Sequence, residues 1–317
     1  MRIVSIKQID VREIVSLWNE CLGIAFPMSE ALWVQNTIDD INVQNDGSIG
    51  MYEGEELVGF TVVKIYQEKL STVMPRDIGW IQCLVVKPTF QKKGIGERLL
   101  KKAEEALLSA SVKEIRLGRD PWHYFPGVPK ENPTAVSWFK KHGYQVDSVE
   151  TDLLKNIALG ESLPLKNSLT SYRLLKDKDL PELVRFLGKT FPGRWHYEAI
   201  HYAKIGNGRE FIGLFIDNEL KGFCRINDPT SPMIAQNVYW SKLFTGTLGG
   251  IGPLGVDRQL RGKHYGIDLV KAATNELIAR GMEHIVIDWT QLVEFYEKLG
   301  YSIWKQYVAM SKKIEVG

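Results

Sequence analysis

WIQCLVVKPTFQKKGIGERLLKKAEEAL, residues 80–107, reads as three consecutive pieces: a buried strand, a short glycine-bearing loop and an amphipathic helix. The apolar run Ile81, Cys83, Leu84, Val85, Val86 stops at Pro88, which has no N–H to give a strand ladder. Gln91, Lys92, Lys93, Gly94, Ile95 and Gly96 then lead into a helix. Its apolar residues Ile95, Leu99, Leu100, Ala103, Ala106, Leu107 and Ala110 recur on one face. A loop of this kind offers unpaired backbone N–H groups at a helix N-terminus, with glycines that let a ligand approach. That is an anion site suited to phosphate, and Lys92 and Lys93 add positive charge beside it.

Two nucleotide folds are excluded by spacing. The Walker pattern G-x-x-x-x-G-K-[ST] is absent, and the dinucleotide pattern G-x-G-x-x-G fails because Leu99 takes the third glycine position. The wider string V-x-P-x-x-Q-x-x-G-x-G-x-x-L is carried by Val86, Pro88, Gln91, Gly94, Gly96 and Leu99. At these residues the chain resembles the GCN5-related N-acetyltransferases (GNAT), whose acyl-CoA pyrophosphate loop has the pattern Q/R-x-x-G-x-G/A.

Outward from this segment the chain repeats itself. Residues 2–18 and 171–187 both read as a short strand followed by a helix. Residues 48–65 and 209–226 both read as a β-hairpin, turning at Glu53–Gly54–Glu55 and at Asp217–Asn218. The central unit recurs from Gly252, with Val256, Arg261, Gly266 and Leu269 in the places of Val86, Gln91, Gly96 and Leu99. WFKKHGY (residues 138–144) is matched by FYEKLGY (residues 295–301). Four blocks in one order make a tandem duplication. The expected domains are 1–158 and 171–317, joined by a linker at 159–170 (LGESLPLKNSLT), which matches neither half.

The resemblance implies an α/β (α+β) fold class: two tandem GNAT-like domains. Each would be a mixed, mostly antiparallel sheet with a splayed central parallel strand pair, flanked by helices. The arrangement resembles the mycothiol synthases, whose carboxyl-terminal domain does the chemistry. It also implies acetyl-CoA or another acyl-CoA as co-substrate. Leu84, Val85 and Val86 would pair with the pantetheine, and Gln91, Lys92, Lys93, Gly94, Ile95 and Gly96 would hold the pyrophosphate. The family's next signature, N-x-x-A-x-x-[FLY]-Y, is met by Asn132, Ala135 and Trp138, but Phe139 stands where a tyrosine would protonate the leaving thiolate. The second half is the converse: Tyr296 is kept, while Trp289 replaces the asparagine and His264 the first loop glycine. His264 would either crowd the pyrophosphate or donate to it.

Two accounts of catalysis follow from the resemblance. The first half binds acyl-CoA and reacts, with Tyr124 or a water as acid, or the second half reacts through Tyr296. The first is the expectation carried forward, together with a non-catalytic acyl-CoA sensor as the alternative from another class. The acceptor amine must be neutral to attack, and for a lysine-like pKa of about 10.4 this costs roughly 4–5 kcal/mol at pH 7 without a base. Candidate bases are Asp120 and His123, after the strand that adjoins the cleft. They open a stretch, DPWHYFPGVPKENP, that makes the first half 13 residues longer between loop and final glycine than the second. Such an excess at a strand end is expected to line the acceptor site.

A formal net charge of +2 over 317 residues gives no concentrated basic field for nucleic acid or a membrane surface. Three cysteines, Cys21, Cys83 and Cys224, and six histidines form no metal-ligand spacing, so no metal is expected. The opening residues mix charge and apolar side chains unlike a secretory leader, and no apolar window of about 18 residues spans a bilayer. The expected compartment is cytoplasmic and the expected partner a small-molecule or peptide amine; oligomeric state is not legible.

Overall fold

The computed structural model describes residues 1–166 and 171–314. Contacts divide the chain into two compact units. Residues 1–69, 75–150 and the segment starting at Gln306 form the first; residues 70–74 and 151–305 form the second. Neither unit is continuous in sequence.

The repeat supplies its elements in the same order twice, apart from one two-residue strand that only the first run has. The first run is β1 (Arg2–Ser5), α1 (Val11–Leu22), α2 (Glu30–Trp33), β2 (Ile49–Glu53), β3 (Glu56–Ile65), β4 (Ile78–Val86), α3 (Ile95–Ser109), β5 (Glu114–Leu117), β6 (Val128–Pro129), α4 (Pro133–Lys141) and β7 (Gln145–Asn156). The second is β8 (Ser171–Leu174), α5 (Leu180–Thr190), α6 (Arg194–Ile205), β9 (Phe211–Ile216), β10 (Glu219–Asn227), β11 (Leu248–Val256), α7 (Tyr265–Ala279), β12 (His284–Thr290), α8 (Val293–Glu297) and β13 (Ser302–Lys313). The β2–β3 and β9–β10 hairpins turn where the sequence places them, and Asp217 and Asn218 both adopt the left-handed conformation that a tight hairpin needs.

In the first unit β1 to β4 pair antiparallel in order, and β5 joins β4 in parallel from Ile78↔Glu114 to Ile81↔Leu117. Helix α3 covers this sheet because its apolar stripe (Ile95, Leu99, Leu100, Ala103, Ala106, Leu107) is wholly buried. In the second unit β8 to β11 repeat the pattern, and β12 joins β11 in parallel from Leu248↔His284 to Ile251↔Ile287. Leu269, Val270, Ala273 and Leu277 of α7 lie in the corresponding core.

The strands that flank β5 and β12 are exchanged along the chain. Residues 311–313 of β13 pair antiparallel with β5, and Tyr307 and Val308 of the same strand pair with β6. Residues 151–156 of β7 pair antiparallel with β12. The end of the chain thus completes the first unit's sheet, and the end of the first repeat completes the second's.

Of the expected linker, residues 167–170 lie outside the described residues. The part before them is fastened to α7: Leu163 and Asn275 exchange two hydrogen bonds of 2.9 Å, and Lys271 donates to the Pro164 carbonyl at 2.8 Å.

Candidate functional site

The cleft of the first unit begins where β4 and β5 part. The last tie between them is Gly118 N–H to the Ile81 carbonyl at 2.8 Å. Gly118 and Arg119 then take consecutive left-handed conformations and turn the chain away. A Cβ on Gly118 would fall 2.1 Å from the Phe125 carbonyl oxygen, so only glycine fits this corner. On its other edge β4 carries a bulge: Val62 faces Cys83 but Val63 faces Ile81, leaving Gln82 as the extra residue.

Strand alternation fixes which backbone groups face the opening. Lys87 donates to the Val58 carbonyl at 2.9 Å, so the hydrogen-bonded pairs run on through Val85 and Phe60. Leu84 and Val86 therefore turn their N–H and C=O groups away from β3, on the side β5 has vacated. That open ladder could pair with an extended, amide-bearing ligand. The Val86 carbonyl accepts from Gln91 Nε2 at 3.2 Å, which ties the loop back to the strand.

At the loop, Lys92 and Gly94 have φ of 59° and 78°. Among the described residues, the backbone N–H groups of Lys92, Lys93, Gly94, Ile95 and Gly96 donate to no protein acceptor. They precede a helix of 15 residues, so free donors and helix dipole coincide. A Cβ built on Gly94 would meet nothing within 4 Å, and one on Gly96 would make only ordinary contacts, with Trp138 at 3.5 Å and Val86 at 3.9 Å. The Lys93 ammonium lies 4.7 Å from the centre of the Phe90 ring.

Between the parted strands lies a cleft of about 360 Å³, within the range of small-molecule sites. Leu84, Val85, Asn132 and Phe139 line it, as does Gln82. Asn132 caps α4, its Oδ1 accepting the Ala135 N–H at 3.1 Å. Cys21 and Leu22 in the last turn of α1, with residues 23–26 that follow it, form another wall that the sequence did not assign. The signal there was an apolar Ile24–Ala25–Phe26 following the helix-ending Gly23. Burial, with the nearby Glu20, pushes the Cys21 thiol up to about 11.

The expected acid and bases of the first half are elsewhere. Asp120 is fully buried with its Oδ2 2.8 Å from Lys64 Nζ; Asp40 is also 2.8 Å from that ammonium. Burial raises the Asp120 pKa, against the pull of Lys64. His123 is buried with Nδ1 2.9 Å from the Asp120 carbonyl oxygen. The Tyr124 hydroxyl is 2.8 Å from Thr37 Oγ1. None of these three lines the cleft. The extra stretch is packed by its own rings: Phe125 stacks on Trp18 at 5.7 Å and Tyr124 on Trp33 at 5.8 Å. Its later part, Phe125 to Asn132, does reach the cleft wall.

The second unit repeats the geometry with different side chains. β11 also bulges, and Asp257 donates to Lys221 at 2.8 Å, so Leu254 and Val256 face the open side. His264 holds the left-handed position of Gly94, with φ of 64°. The N–H groups of Gly262, Lys263, His264, Tyr265 and Gly266 donate to no protein acceptor among the described residues. A pocket of about 620 Å³ adjoins them, lined by Arg261, His264, Lys271, Lys298 and Phe295 among others. Tyr296 is buried on α8, close to Thr290, and burial raises its pKa above the ordinary range.

Among the described residues no group of three His, Cys, Asp or Glu is placed to hold a metal ion, and no helix is long and apolar enough to cross a membrane.

Comparison with known proteins agrees with this geometry. The sequence profile of the acetyltransferase (GNAT) family matches residues 11–144 and 180–301, together 256 of 317 residues. The glucosamine N-acetyltransferase region of a fungal multi-domain β-N-acetylglucosaminidase superposes with a TM-score of 0.86 at 22% identity, over 98% of this chain and 38% of that one. This chain therefore spans well under half of that protein. A GCN5-related N-acetyltransferase from Sphaerobacter thermophilus gives 0.73 at 15% identity, over 99% of this chain and 96% of that one. A tandem GNAT protein of the clavulanic acid biosynthesis pathway gives 0.70 at 14% identity, over 100% and 99%. At these identities the likeness is one of fold. Together with the two matched segments and the two splayed strand pairs, it assigns the chain to the GNAT acetyltransferase family, in its tandem-domain form.

Proposed function

We propose that the protein is an acyl-CoA-dependent N-acyltransferase that moves an acyl group, acetyl in the first instance, directly to a primary amine, with acyl-CoA seated in the first unit. The observation that carries this reading is the run of free N–H groups at residues 92–96, set beside the open edge of β4 and an apolar cleft. Those donors suit a diphosphate, and the outward groups of Leu84 and Val86 suit the two amides of pantetheine. The outward Leu84 N–H would meet the negative charge that develops on the thioester oxygen. The acceptor is an amine of a small molecule or peptide. Glucosamine stands first among those to be tried, because the fungal relative of the same fold is described as acting on it.

The test is calorimetric titration with acetyl-CoA. Gly94→Val and Gly96→Val are expected to weaken binding about 10- to 100-fold, the loss of one or two hydrogen bonds to a charged group. Unchanged affinity in both would remove the loop from the reading. Binding without thiol release over a broad amine panel would favour a sensor of acyl-CoA instead. A second reading has the second unit react, with Tyr296 as acid; the free donors at residues 262–266 and the basic pocket beside them favour it. Density for CoA after an acetyl-CoA soak separates the two seats.

A further inference from the structure

The cleft of the first unit changes character along its length. Its loop end is polar, with free N–H groups at residues 92–96 and the outward groups of Val86 and Leu84. A ligand whose phosphates sit on that loop runs back along β4, past Val86 and then Leu84, so its far end points to Ile81. There the bond from the Gly118 N–H to the Ile81 carbonyl closes the parting. The cleft follows the strand all the way in, since Ile81, Leu117 and Gly118 all line it. From Leu84 to Ile81 the strand runs about 10 Å.

Past Leu84 the side chains of the wall offer carbon. Ile81, Leu117, Phe125 and Val128 line the cleft and are buried, as is Phe26. Phe26 is held edge-on to Phe125 at 4.8 Å, and its carbonyl accepts from Trp18 Nε1 at 2.8 Å. Gln82 is the buried amide of this wall, and its Nε2 is spent inside the protein, on the Trp122 carbonyl at 3.0 Å and the Asn36 carbonyl at 3.4 Å. Burial raises the Cys83 pKa, so that thiol stays protonated. Among the described residues, the carboxylates that line the cleft are Glu20 and Glu131; both are exposed, and Glu20 is 3.1 Å from Lys87. A charged group carried in to Ile81 would lose its water without a charge to meet it, whereas an apolar chain gains by the same move.

We propose that this inner end takes the acyl chain, and that the first unit prefers an acyl-CoA with a straight chain of about six to eight carbons over acetyl-CoA. The proposal rests on the acyl-CoA seat described above and names the acyl class of that same seat. With the thioester beside Leu84, everything farther in is chain. A carbon chain advances about 1.3 Å per bond, so about seven or eight bonds cover the distance to the Ile81–Gly118 tie. An acceptor amine is the poorer occupant, because it brings a charge to a wall of carbon and protonated thiol.

The test is calorimetric titration of the full chain with CoA and with its acetyl, butyryl, hexanoyl, octanoyl and dodecanoyl thioesters. Each buried methylene should tighten binding about two- to fourfold, so hexanoyl-CoA should bind at least about tenfold more tightly than acetyl-CoA. The gain should stop by octanoyl, where the chain meets the Ile81–Gly118 tie, and dodecanoyl-CoA should bind no more tightly. Val128→Phe and Ala135→Phe each narrow the cleft and should flatten the series, with melting scans to show that they fold; if neither folds, the unaltered protein's series decides. Equal affinity for acetyl-CoA and hexanoyl-CoA overturns the proposal, leaves the acyl-CoA seat standing and gives the apolar wall to the acceptor. A gain that continues to dodecanoyl, or that survives both substitutions in folded protein, also overturns it, as the mark of an apolar surface elsewhere. If neither CoA nor any thioester binds, the acyl-CoA reading itself falls, and this proposal with it.

Discussion

Replacing Lys64 by methionine removes the one cation from a buried group of three charges. Its ammonium is fully enclosed and lies 2.8 Å from Asp40 and 2.8 Å from Asp120. Methionine fills much the same space, so the change is chiefly electrostatic. Two carboxyl groups are left facing each other without a counter-charge, a loss of about 3–5 kcal/mol for a broken buried pair. For a unit of this size, at about 2–4 °C per kcal/mol, the melting temperature should fall by about 6–20 °C. The sign with pH follows from the carboxyl groups. In the variant burial holds the folded Asp120 pKa above the unfolded value with no cation to oppose it, so stability is present in acid and lost as pH rises through the folded value. The deficit should therefore be largest near neutrality and shrink as pH falls into the carboxylate range. Scanning calorimetry, with hydrogen exchange of β3 amides to assign the transition to the first unit, measures it. Lys64→Met with Asp120→Asn should recover most of the loss. A single variant within about 1 kcal/mol of the unaltered protein at pH 7, or a loss independent of pH, would refute the argument.

Two more outcomes follow from the coordinates. Cys21 lines the first unit's cleft with its thiol pushed up to about 11, so only about one molecule in ten thousand is thiolate at pH 7. Alkylation by iodoacetamide should be slow there, rise about tenfold per pH unit, and be blocked by acetyl-CoA; peptide mapping that finds rapid neutral labelling, or no protection, contradicts the assigned cleft. In the second unit, burial works to raise the Asp228 carboxyl, but hydrogen bonds from Arg209, Thr230 and Arg280 outweigh it and hold the pKa well below the ordinary value. Asp228→Asn should cost about 1–3 kcal/mol at pH 7 by denaturant titration. The difference from the unaltered protein should vanish as pH falls through the folded pKa, because a depressed carboxyl stabilises only above it.

The loop and its helix were legible because two independent signals coincide there. The spacing of Ile95, Leu99 and Ala103 fixes one buried face, and Gly94 stands where the backbone turns left-handed. The duplication was legible for the same reason: hairpin, loop and final glycine recur in order. The roles around the cleft were not. Asp120 and Tyr124 sit at the end of a strand, where a site residue and a packed one look alike in sequence. The informative residue was Lys64, a cation inside the apolar run FTVVKI that demanded a buried partner. Arg225, buried within the run FCRI of β10 and 2.6 Å from Glu198, sent the same signal from the second half. Strand partners were illegible on principle, since a two-residue period specifies which face is buried and not which neighbour the strand joins.

The crossing-over of the terminal strands has a consequence for how the protein is made. When a ribosome has finished residue 150, the first unit still lacks the segment from Gln306 that borders β5. At ordinary elongation speeds that segment follows on the order of ten to thirty seconds later. Until then residues 114–117 present an unsatisfied edge, and neither half released by cutting between the repeats owns all of its sheet. The two copies therefore mature as one object, once the segment from Gln306 has been made, and a gene split at their junction would yield fragments that must find each other to fold.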